Sequence, residues 1–253
     1  MAPKTLAEAR ERLRPYVKKA KGFTGWMAYV HSRRLGPERP WDYMARAKKL
    51  VAAASVILDI GTGGGERFGE IIAGYGKRSV ATEEWEVNAP IAATHLRPLG
   101  ADTVRCQSLH LPFTRASFDL VLDRHEELDP AEVTRILRPG ATVLTQQVWQ
   151  HWRELSRFFP RRSNYGDHFH LYQEGFRAAG LAVVDARTSV VPAAYEGLGD
   201  FVYMLCIAPW EIPGFDPLGA DLEALLDLER ELTTTDGLVL SDGSYVIEAR
   251  KPA

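Results

Sequence analysis

The sequence feature that most constrains the fold is a short apolar run followed by a cluster of glycines. Residues Val56–Ile60 are apolar apart from Asp59, and residues 61–65 contain four glycines. A short apolar run that ends in glycine is typical of a buried parallel strand. Glycine permits a positive φ and leaves no Cβ between the main chain and a ligand. Because residues 66–72 can continue as a helix, the segment predicts a strand–turn–helix unit with a ligand beside the helix N-terminus.

The spacing of the glycines distinguishes between the classes of ligand that such a turn can bind. The dinucleotide fingerprint Gly-x-Gly-x-x-Gly would need a third glycine where the sequence has Glu66. A phosphate-binding P-loop would need Gly-Lys-Ser/Thr, and no lysine follows. What remains is Asp59 at the strand tip, followed by Gly61, Gly63 and Gly65. An acid at this position suits a ligand with an ammonium group and a ribose, and the pattern resembles motif I of the class I S-adenosylmethionine-dependent methyltransferases.

Further segments resemble the same family, in the order in which the family has them. They are Leu-Pro-Phe at 111–113, Phe-Asp-Leu-Val at 118–121 and Leu-Arg-Pro-Gly at 137–140. Together with motif I they cover residues 56–147, and the chain looks like the type 11 and ubiquinone/menaquinone methyltransferases. The resemblance implies an α/β fold, a doubly wound Rossmann-like sheet of seven strands in the order 3-2-1-4-5-7-6. The last strand would be antiparallel, and an N-terminal helical lid would precede the sheet.

The resemblance also implies S-adenosylmethionine as the cofactor. Glu83 would bind the ribose hydroxyls, or Glu84 if the second strand is one residue longer, and Trp85 would lie on the adenine face. Gln107 stands where the family commonly has aspartate, but its carbonyl can still accept a hydrogen bond from the adenine amine. The predicted cofactor-binding residues are Asp59, Gly61, Thr62, Gly63, Glu83, Glu84, Trp85, Gln107, Ser108, Leu109 and Arg124.

Two histidines are the predicted catalytic residues. A hydroxyl acceptor profits from a general base, whereas an amine acceptor needs only to be neutral. His125 is the first candidate because it follows the fourth strand, whose tip faces the sulfonium in the family, and His151 is the second. The predicted acceptor-binding residues are the aromatic Trp26, Tyr29, Trp149 and Tyr172. The alternative for each aromatic is a place in the core, since aromatics dominate cores.

No metal site is predicted. His170 and Glu174 are four residues apart and could share a helical face, but they match no metal-binding motif.

The chain divides into an N-terminal helical or lid segment, residues 1–54, and a methyltransferase domain, residues 55–253. We expect substrate-side insertions around 148–172 and 192–235. In the less regular C-terminal part, residues 181–184 predict the sixth strand, and Ser241-Asp242-Gly243 predicts a turn before the terminal strand.

The amino-acid composition limits the classes of partner that the chain is expected to bind. The 253-residue chain has a formal net charge of −2 and a pI near 6.4, which argues against nucleic acid because nucleic-acid-binding domains are usually basic. The N-terminus lacks a signal-peptide core, and no apolar run is long enough to span a membrane. Cys106 and Cys206 are too few for a disulfide framework and fit a reducing compartment. We therefore predict a cytoplasmic protein whose partner is a small-molecule methyl acceptor.

Three functions compete. The first is methyl transfer to an oxygen or nitrogen of a small molecule. The second is methylation of rRNA or tRNA, for which the basic pairs at 33–34, 48–49 and 161–162 would contact phosphates. The third is a cofactor-binding partner protein without catalytic activity, a possibility raised by the substitution at Gln107.

Overall fold

The computed structural model describes residues 5–24 and 32–253. Trp26 and Tyr29, two of the predicted acceptor-binding residues, lie outside this part of the chain. The described residues form one mixed sheet with helices on both faces. Its nine strands are β1 (Arg33–Arg34), β2 (Val56–Ile60), β3 (Arg78–Glu83), β4 (Ala101–Arg105), β5 (Phe118–Arg124), β6 (Leu137–Val148), β7 (Ala182–Tyr195), β8 (Thr233–Thr234) and β9 (Gly237–Arg250).

The strand order confirms the prediction. The sheet runs β4-β3-β2-β5-β6-β9-β7-β1, and β8 pairs with β9. Strands β3, β2, β5 and β6 are parallel neighbours, and β9 lies antiparallel between β6 and β7. Without the two-residue strands β1 and β8, this is the seven-strand order 3-2-1-4-5-7-6. The predicted Rossmann-like methyltransferase fold is therefore present, with two short strands added.

The helices surround the sheet and extend beyond it. They are α1 (Leu6–Ala20), α2 (Tyr43–Ala53), α3 (Glu66–Ile72), α4 (Asn88–Leu96), α5 (Pro130–Ile136), α6 (His168–Ala178), α7 (Leu198–Ile207) and α8 (Leu222–Leu232). Two 3-10 turns span Arg97–Leu99 and Arg153–Arg157. Asp42 begins α2 because its carboxylate accepts a hydrogen bond from the Ala45 N–H at 3.0 Å. None of the helices in the described ranges is long and apolar enough to cross a membrane.

The central strand β2 explains why both faces of the sheet are covered. Ile57, Leu58 and Ile60 are all fully buried, although successive residues of a strand point to opposite faces. Leu58 and Ile60 belong to one hydrophobic cluster, and Ile57 belongs to the cluster beneath α2 and α3. A parallel strand that is apolar on both faces needs a helical layer on each side.

A third hydrophobic cluster lies among α1, α7 and α8. Leu13, Phe201 and Leu225, one from each helix, are fully buried in it. Trp152, from the segment after β6, and Leu240, from β9, are buried in the same cluster. The N-terminal helix is thus packed on the C-terminal helices, and a lid function for residues 1–54 stays a prediction.

The C-terminal strands differ from the sequence prediction. The sixth strand was expected at 181–184, but β7 has 14 residues and includes the start of the expected insertion at 192. Ser241-Asp242-Gly243 is not a turn, because it lies within the 14-residue strand β9. The reason is a close crossing of two chain segments: a Cβ on Gly243 would overlap the carbonyl oxygen of Trp149. Glycine is therefore needed inside a strand, where the sequence pattern gives the same signal as a turn.

Candidate functional site

The glycine turn after β2 has the conformation that its sequence predicts. Gly61, Gly63 and Gly65 have φ values of 64°, 63° and 81°. A Cβ on Gly65 would lie 2.8 Å from Cγ of Leu96 in α4. At Gly61 a Cβ would collide with the side chain of Glu126, which follows β5. The turn thus leaves its main chain open to a close neighbour at the carboxyl ends of the strands.

Asp59 is buried at the end of β2 and is 7% exposed. Burial raises its pKa to about 7, the nearby Glu83 adds to the increase, and the Thr62 hydroxyl and Arg124 act in the opposite direction. A carboxyl group with this pKa is about half protonated at neutral pH. A further cation that binds beside this carboxyl group would favour its ionised form.

Glu83 ends β3 and is fixed by the glycine turn. Its carboxylate accepts hydrogen bonds from the Gly63 N–H at 2.7 Å and from the Trp85 N–H at 2.8 Å. Burial raises the pKa of Glu83, and these two N–H groups limit the increase. Because β3 ends at Glu83, the predicted ribose position falls on this residue, whereas Glu84 lies outside the strand and accepts a hydrogen bond from Gln107.

Of the predicted adenine-side residues, Trp85 and Leu109 are exposed and Ser108 is buried. Trp85 is 42% exposed, and its ring is 6.4 Å from that of Trp210 in an edge-to-face arrangement. Ser108 is buried, and its hydroxyl donates to Oε1 of Glu126 at 3.2 Å. Leu109 is exposed beside it. Their assignment to adenine stays a prediction.

Asp123, at the end of β5, is a buried acid that sequence reasoning missed. It is fully buried and accepts hydrogen bonds from the Thr145 hydroxyl and, at 2.6 Å, from the Gln147 amide. Its Oδ1 has no hydrogen-bond partner among the described residues. Burial raises the pKa of Asp123 well above its ordinary value. The signal for this residue was its position, one before Arg124 at the tip of a buried strand.

His125 lies at the same strand tip in a left-handed conformation, with φ of 69°. The residue as a whole is exposed. Loss of solvent around the ring, Arg124, His151 and Arg39 lower the pKa of His125 well below its ordinary value, and Asp242 opposes this shift. His125 is therefore neutral at physiological pH.

One cavity of about 970 Å³ joins the glycine turn to the segment after β6. Gly61 and Glu83 line one end, and Trp149, His151 and Tyr172 line the region beyond. The cavity thus brings the described acceptor-side residues together with four of the predicted cofactor-binding residues, Gly61, Glu83, Glu84 and Trp85. His125 is not among the residues that line this cavity.

The two described aromatic candidates are also held by protein groups. The hydroxyl of Tyr172 accepts a hydrogen bond from the Leu128 N–H at 3.2 Å, and burial raises the pKa of this phenol. The Trp149 indole donates to Oδ1 of Asp167 at 3.2 Å. Both side chains therefore have fixed positions at the cavity wall, and their contact with an acceptor stays a prediction.

Another part of the cavity wall contains Arg162, which the sequence marked only as half of a basic pair, and Glu211, which it did not identify. Arg162 approaches Glu211 at 3.6 Å and donates to the carbonyl of His151 at 2.7 Å. Burial raises the pKa of Glu211, although Arg162 opposes the increase. These residues come from two loops that are distant in sequence, so the sequence alone did not bring them together.

A second buried charge cluster lies behind His151. Asp242 of β9 forms ion pairs with Arg34 and Arg39, and the His151 Nδ1 lies 3.5 Å from its Oδ1. Although burial favours the neutral acid, His151 and the two arginines hold the pKa of Asp242 below its ordinary value. This residue was missed because its segment had the composition of a turn.

No group of three metal-ligating side chains occurs in residues 5–24 and 32–253. His170, one half of the weak metal pattern, instead contacts Oδ2 of Asp167 at 2.6 Å.

Comparison with known proteins adds information about the fold. No protein-family model matches the chain, and no curated protein matches it. Among solved structures, a functionally unknown protein of Deinococcus radiodurans R1 is 17% identical, with a TM-score of 0.62 over 94% of this chain and 99% of that one.

Two further structures have similar folds. A protein of Bacillus halodurans C-125, named as a candidate methyltransferase, is 17% identical, with a TM-score of 0.58 over 83% of this chain and 99% of that one. The [4+2]-cyclase SpnF is 18% identical, with a TM-score of 0.55 over 100% of this chain and 98% of that one. At these identities the likeness establishes the fold and not the reaction.

Proposed function

We propose that this chain is an S-adenosylmethionine-dependent methyltransferase that acts on a small molecule. The observation that carries the proposal is the position of Asp59 and Glu83. These two buried acids end adjacent parallel strands beside the glycine turn, and Glu83 lines a cavity that continues to His151. Ligands of doubly wound sheets bind at the carboxyl ends of such strands.

The residues present fit this cofactor. Glu83 would accept hydrogen bonds from ribose hydroxyls, and Asp59 would take the ammonium group. Glu126, whose pKa burial raises to about 7, lies beside the turn, and a bound cation would favour its ionised form. When bound, S-adenosylmethionine supplies an electrophilic methyl group on a cationic sulfur, and an acidic surrounding favours that charge.

The protein contributes mainly alignment and exclusion of water. Methyl transfer is an in-line displacement, so holding the two reactants in one geometry supplies much of the acceleration. Trp149 and Tyr172 are held at fixed positions by hydrogen bonds, and they present rigid aromatic surface to the cavity. Such walls suit an acceptor that is apolar or contains a ring.

A second candidate is a cofactor-binding protein with a different activity or none. The [4+2]-cyclase SpnF has a similar fold over the whole chain, so this fold also serves another reaction. The fold alone therefore does not establish methyl transfer, and cofactor binding and methyl transfer must both be measured.

Calorimetric titration with S-adenosylmethionine tests the cofactor. We expect Asp59→Ala to weaken binding well over tenfold, because a hydrogen bond to a charged group contributes roughly 1.5–3 kcal/mol. Asp102→Ala, at an exposed position of β4, is the control and should bind like the wild type. Absence of binding by the folded protein, or equal binding by Asp59→Ala, would contradict the proposal.

Transfer of a labelled methyl group tests the reaction. The enzyme is incubated with methyl-labelled S-adenosylmethionine and the small-molecule fraction of a cell extract. A labelled metabolite supports the methyltransferase, whereas cofactor binding without any labelled product supports the second candidate.

A further inference from the structure

The segment that follows β6 is fixed across β9 by backbone hydrogen bonds. We call residues 149–153 the crossing segment. The Trp149 N–H donates to the Gly243 carbonyl at 3.0 Å, and the Trp152 N–H donates to the Ser241 carbonyl at 2.9 Å. The Ser241 hydroxyl donates to the Gln150 carbonyl at 2.9 Å. Asp242 lies between the two strand residues that make these contacts.

The crossing segment is strained on both sides of His151. Gln150 and Trp152 have φ values of 51° and 49°, in the left-handed region that non-glycine residues rarely adopt. Such conformations cost energy and persist where the surrounding structure holds them, often at functional sites. The strain and the backbone contacts together determine where the His151 ring lies.

One nitrogen of the His151 ring faces the carboxylate of Asp242. Its Nδ1 is buried, lies 3.5 Å from Oδ1 of Asp242, and has no hydrogen-bond partner among the described residues. This separation is longer than a formed hydrogen bond, but such contacts often tighten only when the ligands are bound. The side chain is 14% exposed, and the residue lines the cavity. With Nδ1 turned to Asp242, Nε2 is the nitrogen left for a ligand.

Asp242 is held as an anion. Arg34 and Arg39 both donate to its Oδ2, the second at 3.0 Å, and Arg39 also reaches Oδ1 at 3.2 Å. Because Asp242 is an anion, a neutral His151 ring would place its proton on Nδ1, toward Oδ1 of Asp242, and would leave Nε2 without a proton. In this tautomer Nε2 can accept a proton from a bound molecule.

We propose that the acceptor atom is a hydroxyl oxygen, that His151 takes its proton at Nε2, and that Asp242 is a positioning residue for His151. This inference rests on the proposed function. A hydroxyl gains nucleophilicity from a general base, whereas a neutral amine does not need one, so an oriented imidazole favours the hydroxyl.

The reaction balances without another reagent. The oxygen–carbon bond forms as the carbon–sulfur bond breaks, and the electron pair of that bond stays on sulfur. The hydroxyl proton passes to Nε2 of His151 and then to water.

Nitrogen NMR of the ligand-free protein tests the tautomer separately from activity. We expect the His151 signals, assigned by their loss in His151→Gln, to show the Nδ1–H form. In Asp242→Asn the amide oxygen should remain with the two arginines, so that the amide NH₂ faces Nδ1 and the proton moves to Nε2. A wild-type ring with its proton on Nε2 would overturn the role of Asp242.

Kinetics test the base. Both Asp242→Asn and His151→Gln should lower kcat by about 100-fold or more, the range of general-base catalysis, with unchanged affinity for S-adenosylmethionine. The control is Asp236→Asn, which removes an exposed ion pair with Arg33 and should leave kcat unchanged. Wild-type turnover in a folded His151→Gln would overturn the proposal, and this variant decides the question if Asp242→Asn fails to fold.

The labelled product tests the acceptor atom. With carbon-13 in the transferred methyl group, a methoxy signal supports the inference. An N-methyl signal would overturn the hydroxyl assignment and leave the methyltransferase intact. Absence of cofactor binding would instead count against the proposed function and would leave the NMR result unaffected.

Discussion

At the scale of single residues, Asp59 shows how a binding site can oppose folding. Its pKa of about 7 lies above the ordinary value of 3.8 because the folded protein buries the carboxyl group. The folded state therefore binds a proton more tightly than the unfolded state does. Between about pH 4 and pH 7 the unfolded chain releases this proton first, and stability falls as pH rises.

We predict that Asp59→Asn removes part of this pH dependence. Relative to the variant, the ligand-free wild type should lose up to about 4 kcal/mol of unfolding free energy between pH 4 and pH 8. Urea denaturation at several pH values measures the difference. Asp102→Asn, at an exposed position, should follow the wild type. Parallel curves for the wild type and Asp59→Asn would show that Asp59 ionises in the folded protein without a penalty.

At the scale of elements, the sequence predicted those parts of the site that depend on local chemistry. The strand, the glycine turn and helix α3 follow one another within about 17 residues, so Asp59 and Gly61 could be recognised from their spacing. The strand order followed because further motifs appeared in sequence. Asp242 could not be recognised, because Ser-Asp-Gly is common in turns. Its place in β9 depends on pairing with β6 and β7, which are far away in the chain.

The crossing of the segment after β6 over β9 is an element-level feature that can be tested. Gly243→Ala should cost roughly 1–3 kcal/mol or more of unfolding free energy, because the added methyl group overlaps the Trp149 carbonyl. It should also lower turnover by moving His151. Gly22→Ala, where the new methyl group has room, should stay within about 0.5 kcal/mol of the wild type in urea denaturation. Equal stability of the two variants would contradict a close contact between Gly243 and the Trp149 carbonyl.

At the scale of the whole molecule, the charges argue against a nucleic-acid substrate. The arginines considered as phosphate contacts are engaged by acids. Arg33 pairs with Asp236 at 2.9 Å, and Arg161 pairs with Asp221 at 2.5 Å. Arg34 and Arg162 face acids in the same way. Lys48 and Lys49 are exposed on α2, and the formal net charge is −2.

We therefore predict weak RNA binding with little salt dependence. In fluorescence anisotropy with a labelled tRNA, the slope of log K against log salt should be shallower than about −2, since each phosphate contact contributes about −0.7 to −0.9. The double variant Lys48→Ala/Lys49→Ala should have nearly the same slope as the wild type. A steep slope that this double variant reduces would revive the RNA methyltransferase.

The position of β9 has a consequence for biosynthesis. This strand lies between β6 and β7, yet the ribosome makes it after both of them. Until it emerges, each of these long strands has an edge without its final neighbour, and such edges can pair with other chains. Asp242 is part of β9 and is therefore also synthesised after β6 and β7. A nascent chain therefore gains its completed sheet and the carboxylate that orients His151 in a single event.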